Sequence, residues 1–221
     1  IIFIEGRAQS YRNAVQISIL TAKPCDREDI HPSDYLPVSK LNTEAMFEDL
    51  LAYVDTISSE PLKKLLGAFL NHEGTAELFR RAPAAKGFHH IYLGGLLEHT
   101  LSVVRLLDQA AKHYPPLNRD LLIAGGILHD IGKIYEFSYD GLIEYSDEGR
   151  MIGHLVMGVE MINQKMAAMD NFPARLALEL RHIILSHHGE FEFGSPKRPK
   201  TREALVIHFM DDLDAKLNAF D

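Results

Sequence analysis

Apolar positions along this chain change their spacing twice, and the changes divide it into three stretches. Over residues 1–22 the apolar residues Ile2, Ile4, Val15, Ile17 and Ile19 recur at every second position, with Gly6 and Asn13 as punctuation, which predicts two short strands. Over residues 23–42 no period survives and Pro24, Pro32 and Pro37 interrupt the chain, so a surface linker is expected. Beyond it the spacing becomes three and four. Thr43 is placed to cap a helix carrying Met46, Phe47, Leu50, Leu51 and Val54; Pro61 opens a second, and residues 75–81 give a third. Five longer helices are expected at residues 89–113, 118–131, 148–169, 173–188 and 201–220. Between two of them, EFSYDGLIEYS alternates around Asp140-Gly141 as a small hairpin would. The pattern predicts a mainly α chain, a helical bundle behind a small N-terminal β segment.

Composition narrows the class. At 221 residues, 46% of them hydrophobic, the chain can bury one substantial core. No apolar run approaches the roughly eighteen residues of a membrane helix, and the first residues lack the basic start of a secretory leader. Cys25 is the one cysteine, which forbids an internal disulfide and fits a reducing cytoplasm. With 23 Lys and Arg against 31 Asp and Glu, the net charge of -8 has the wrong sign for gripping nucleic acid over the whole surface. A local strip remains open through Lys197, Arg198 and Lys200 in GSPKRPKT, or through Lys63 and Lys64.

The chemistry concentrates in histidines and acids. ILHDIGK, residues 127–133, sets His129 beside Asp130 at the end of an apolar run, offering one nitrogen and one carboxylate to the same cation. His99 in LLEHT, His154 in MIGHL, His187 and His188 in LSHHG and Asp211 in FMDDLD stand in or at the ends of other helical stretches, so several helices can aim ligands at one interior point. These donors suffice for two ions. Imidazole and carboxylate suit Mn, Fe, Co, Ni or Zn, and a single cysteine rules out a thiolate-rich structural zinc site. The competing reading for each is an interior histidine bonded to a backbone carbonyl or a neighbouring carboxylate. Gly125 and Gly126 allow another helix close to His129, and Gly132 is expected to end the turn. Asp212 and Asp214 rival Asp211, and adjacent His187 and His188 point about 100° apart on a helix unless Gly189 ends it.

The order His99, His129-Asp130, Asp211 resembles the signature of the HD-domain metal-dependent phosphohydrolases. FHHIYLGGLLEHT, LLIAGGILHDIGK, GRMIGH, ILSHHGEFEFGSPKRPKTREAL and MDDLDAKLNAF together resemble the YhaM family of 3'-to-5' exoribonucleases, from about Phe88 to the end. The resemblance implies a partial OB-fold-like β segment at residues 1–22, with GRAQSYRNAVQISIL as its last strands and an upstream portion not represented, a linker at 23–42 and an HD domain at 43–221. It also implies a first metal site of His99, His129, Asp130 and Asp211, and a second of His154, His187 and His188 with Asp130 shared. His188 has an alternative role on a substrate phosphate. Lys133 would hold a phosphate oxygen or water, so Asp130 and Lys133 are the expected catalytic pair.

Other candidates are weaker. His89 and His90 would start the helix that carries His99, where exposed N–H groups favour anions. Lys197, Arg198 and Lys200 could steer a phosphate backbone. Tyr92, Tyr135, Phe137 and Tyr139 could stack bases or pack the core, and His31, His72, His113, His182 and His208 read as structural or surface residues. The expected function is hydrolysis of single-stranded RNA from its 3' end with two divalent ions, Mn foremost, in the cytoplasm and without a membrane; a homo-oligomer stays open. The alternatives are hydrolysis of nucleotides or other small phosphate esters, and a silent HD-like regulatory or nucleic-acid-binding module.

Overall fold

A computed structural model describes residues 2–25, 31–86, 92–139 and 142–220. Strands β1 (Ile2–Tyr11) and β2 (Ala14–Pro24) form an antiparallel ribbon joined by Arg12 and Asn13, both at positive φ, the conformation that suits a two-residue hairpin. Every residue of both strands is exposed, including Val15 at 83% and Ile17 at 65%. The ribbon pairs with no other described strand, and a barrel is not seen among the described residues.

The segment expected to drape over the surface is docked instead. Leu36 is buried, Val38 bridges to Leu93, and the backbone of Pro37 and Ser39 exchanges hydrogen bonds with Leu93 at 2.9 Å each. Ser39 Oγ donates to Glu98 at 2.5 Å. Pairing with backbone ahead of the His99 helix satisfies polar groups that proline-broken sequence gave no periodic signal for.

Helices α1 (Thr43–Asp55), α2 (Glu60–Leu70) and α3 (Glu73–Arg81) cover one side of the core. Asn42, not Thr43, caps α1, its side chain accepting from the Ala45 N–H. Helices α4 (Gly95–His113) and α5 (Arg119–Leu128) run through the centre, and every residue of α5 from Leu121 to its end is buried. Gly125 and Gly126 receive Ile207 and Ile183 on one side and Leu107 on the other, as close helix approach requires. A short α6 (Lys133–Glu136) leads into strands β3 (Phe137–Ser138) and β4 (Glu144–Tyr145), which pair antiparallel; the Asp140-Gly141 turn lies outside the described residues.

The single helix expected over 148–169 is two: α7 (Asp147–Met151) and α8 (His154–Ala167). Gly153, at φ 77 and ψ 155, makes the break. His154 therefore opens a helix instead of sitting inside one. Helices α9 (Ala174–Ser186) and α10 (Arg202–Leu217) close the bundle, α10 crossing α4 and α5 and packing on α9. The expected start of the His99 helix at His89 and His90 falls outside the described residues; α4 itself begins at Gly95. No helix among the described residues is long and apolar enough to cross a membrane.

Candidate metal centre

α5 stops at Leu128, and His129 and Asp130 follow in a tight turn closed by the Lys133 N–H donating to the Asp130 carbonyl at 2.9 Å. Both side chains point into the bundle, at 0% and 1% exposure. Gly132 lies at φ -62, so it ends no turn through a left-handed conformation. Its role is contact: a Cβ there would stand 2.1 Å from the His154 carbonyl oxygen and 2.9 Å from the Gly158 nitrogen. The missing side chain lets the start of α8, and His154 with it, reach Asp130.

His187 caps α9 and His188 follows. Gly189, at φ 79, turns the chain away, and a Cβ on it would strike the His208 ring at 2.2 Å. Because the helix ends there, both rings face the same hollow, with centroids 4.4 Å apart. His99 from α4 and Asp211 from α10 complete the group.

Around Asp130 the geometry is two-sided. Oδ2 stands 3.4 Å from His129 Nε2, 3.8 Å from His99 Nε2 and 2.7 Å from Lys133 Nζ. Oδ1 stands 3.5 Å from Nε2 of both His154 and His187. Asp211 Oδ1 is 3.1 Å from His99 Nε2 and 3.7 Å from His129 Nε2. Three sets of ligand atoms each fall within 4.8 Å of one another: His99, His129 and Asp211; His129, Asp130 and His187; and His154, His187 and His188.

All five imidazoles are anchored from behind. Nδ1 of His129 meets the Gly126 carbonyl at 2.8 Å, that of His187 the Ile184 carbonyl at 2.9 Å, and that of His188 the Phe193 carbonyl at 3.0 Å. His154 Nδ1 meets Glu136 at 2.9 Å and His99 Nδ1 meets Asp214 at 2.7 Å. At His129, His154, His187 and His188 an acceptor at Nδ1 favours the proton there and turns Nε2 into the hollow, the tautomer of a metal-binding imidazole. Nε2 of His154 and Nε2 of His188 face each other at 3.2 Å.

This set fits a divalent first-row cation. Two ligands about 2.1 Å from one tetrahedral ion stand roughly 3.4 Å apart. The separations of 3.1 to 3.8 Å among the nitrogens and oxygens here bracket that value. Nε2 of His129 and Oδ1 of Asp130 are buried without a hydrogen-bond partner, an arrangement costly in an interior unless an ion satisfies it.

Charge states agree. Burial opposes ionisation of Asp130, yet Lys133 and His129 hold its carboxyl well below the usual range. Asp211 is likewise lowered against its burial, by His99 and His129. Burial lowers His187 to about 3, and burial with the nearby His154 lowers His188. His99 differs: burial would lower it, but hydrogen bonds with Asp211 and Asp214 raise it to about 9. Burial also opposes charge on Lys133, and Asp130 overrides it and raises the pKa. Two carboxylates held ionised beside His187 and His188, whose pKa values are lowered, suit a cation.

The centre opens into two clefts. One, of about 230 Å³, is lined by Asp130, Lys133, His187, His188, His208 and Asp211 among others; a second, of about 360 Å³, reaches His154 and Gly194. His188 and Phe193 belong to both.

Seven of the expected ligands thus converge, and Lys133 joins them. Asp212 pairs with Lys216 at 2.8 Å, leaving Asp211 as the acid that faces the imidazoles. Lys197, Arg198 and Lys200 are exposed and line neither cleft; Arg198 is held by Glu190 at 2.7 Å. His89 and His90 lie outside the described residues. Phe137 and Tyr139 are buried, and neither they nor Tyr92 and Tyr135 line the clefts.

Four residues have roles the sequence did not assign them: Asp214 stood only as a rival to Asp211, His208 only as a structural or surface residue, and Glu136 and Phe193 carried no assignment. Asp214 and Glu136 orient His99 and His154, and Phe193 and His208 wall the clefts, His208 Nδ1 being 2.7 Å from the His187 carbonyl. Asp214 lies on the same helical face as Asp211, three residues on, which was a legible signal; Glu136 offered none.

Comparison with known proteins decides the family: the HD domain pattern matches residues 96–216. The chain belongs to the HD-domain family, among its YhaM-like members. Over its whole length it is 36% identical to the 3'-5' exoribonuclease YhaM of Listeria monocytogenes, covering 70% of that protein. It is 35% identical to the YhaM proteins of Bacillus subtilis and Shouchella clausii, covering 70% and 69% of them. No solved structure matches the chain. The HD stretch spans α4 to α10, so every converging candidate ligand lies inside it, and Glu136 and Asp214 are the acids that brace two of those side chains from within the same stretch.

Proposed function

We propose that this chain is a metal-dependent phosphohydrolase working as a 3'-to-5' exoribonuclease on single-stranded RNA. One observation carries the metal dependence: five imidazoles are pinned through Nδ1, and four of them, His99, His129, His154 and His187, set Nε2 within 3.8 Å of the oxygens of a buried Asp130. The RNA substrate and the direction of digestion rest on the names of relatives that match along the entire chain.

His99, His129, Asp211 and Asp130 would hold one ion, and His154, His187 and His188 a second, with Asp130 shared because its oxygens face different imidazoles. Mn is our first choice among ions that accept nitrogen and oxygen donors. Such ions polarise a phosphoryl oxygen and make water acidic enough to attack near neutral pH. Lys133 stays cationic beside Asp130 at the floor of the cleft, placed to offset charge growing on phosphoryl oxygens. Asp214 and Glu136 keep the imidazoles aimed, and the surrounding bundle excludes bulk water from all but the cleft mouth.

The exposed apolar side chains of the β1–β2 ribbon support reading residues 1–22 as part of a barrel followed by the 23–42 linker and an HD domain over 43–221. We place the activity in the cytoplasm, in keeping with a lone cysteine. One observation favours a second reading, hydrolysis of small phosphate esters: the net charge is -8 and the cationic loop lines neither cleft.

Digestion of a 5'-labelled RNA with added Mn separates the readings. Single-nucleotide laddering by wild type and none by Asp130→Ala is expected. Phosphate release from free nucleotides with intact RNA would replace the exonuclease by the small-ester reading.

A further inference from the structure

Two phenylalanines follow the double histidine, and they are treated differently. Both sit in the 3-10 turn Phe191–Phe193, at 59% and 64% exposure. Phe191 has the Arg198 guanidinium over its ring at 5.0 Å, and it lines neither cleft. Phe193 lines both. Its carbonyl oxygen accepts from His188 Nδ1 at 3.0 Å, which ties the position of the turn to a ring of the metal centre. An aromatic ring thus stands, largely uncovered, in the wall of a hollow lined otherwise by imidazoles, carboxylates, an ammonium group and the small Ala215.

We propose that Phe193 is a base-stacking platform, holding the nucleobase attached to the phosphate that enters the centre. The inference rests on the phosphohydrolase reading and deepens it, because it assigns the site to nucleotide-type esters over phosphates with no aromatic part. A phosphate group seeks the cation floor, and the adjoining flat apolar surface is what an exposed ring covers best. Stacking tolerates every base, since each has a π-face. Among the described residues no other phenylalanine or tyrosine lines either cleft, and of the imidazoles there His154, His187 and His188 belong to the candidate metal centre.

The test uses the Mn-loaded protein and two probes, adenosine 5'-monophosphate and ribose 5-phosphate, in equilibrium binding. Wild type should bind the nucleotide at least about 10-fold more tightly, the worth of one stacked base. Phe193→Ala should erase that preference while leaving ribose 5-phosphate affinity and Mn content unchanged; Phe193→Trp should keep it, and Phe191→Ala should behave as wild type. Equal affinities in wild type, binding of neither probe, or a Phe193→Ala loss shared by both probes would overturn the proposal. A fall in Mn content would do so too, by showing that the ring merely supports His188. Because binding is read without digestion, failure to cleave RNA would sink the exonuclease reading and leave this one standing.

Discussion

Oδ2 of Asp214 lies 2.7 Å from Nδ1 of His99, and the opposite nitrogen of the same ring stands 3.1 Å from Asp211. Ser102 donates to the other oxygen of Asp214, so the carboxylate is itself fixed. Asp214→Ala should weaken Mn binding about 10- to 100-fold, the usual effect of losing an orienting partner. Asp214→Asn, which keeps an acceptor, should recover most of it. Competition with a chelating dye reads both, and a circular dichroism melt confirms that the variants fold.

Glu136 does the same for the other cluster, and more. Its Oε1 meets both Nδ1 and the backbone N–H of His154, at 2.9 and 3.0 Å. Glu136→Ala should therefore lose one ion per chain with a smaller effect on the other, since His99, His129 and Asp211 do not touch Glu136. Isothermal titration with Mn should show one of two binding phases weakened; equal loss of both phases would contradict separate bracing.

Gly132 tests the packing that brings α8 to the centre. Alanine there would push against the His154 carbonyl oxygen and Gly158 nitrogen, 2.1 and 2.9 Å from the new Cβ. The expected cost is about 1–3 kcal/mol, as for other overpacked interiors. Urea denaturation should show the loss, and Mn titration should show the His154 cluster affected first.

Asp108 supplies the stability test away from the centre. It is buried, with Arg119 Nη2 and Lys112 Nζ each 2.7 Å away, and although burial would raise its pKa these cations hold it below the ordinary value. A carboxyl lowered in the folded state stabilises fully above its unfolded pKa, and that contribution is lost as pH falls through the folded value. Asp108→Asn should thus cost about 1–2 kcal/mol at pH 7, discounting the exposed lysine. The gap between variant and wild type in urea midpoints should stay constant down to about pH 5 and close below about pH 4.

Much of the candidate centre was legible because residues at helix ends carry their own punctuation: Gly189 after the double histidine and the apolar run before His129 mark where helices stop and side chains turn inward. Periodicity located α5, α9 and α10 within a few residues. It missed the break at Gly153, since apolar spacing continues across it and only a backbone angle divides α7 from α8. It also missed Leu36 to Ser39, whose order comes from pairing with Leu93 far along the chain. Glu136 was invisible for the same reason: its partner, His154, is brought near by the fold, and nothing local distinguishes it from a surface acid.

Equilibrium dialysis against Mn bears most directly on the claim that these imidazoles and acids form one cation centre. Wild type should retain two ions per chain, and Asp130→Ala, which removes the carboxylate facing both clusters, should retain neither tightly. Wild type holding less than one ion per chain, or no more than the variant, would contradict the account.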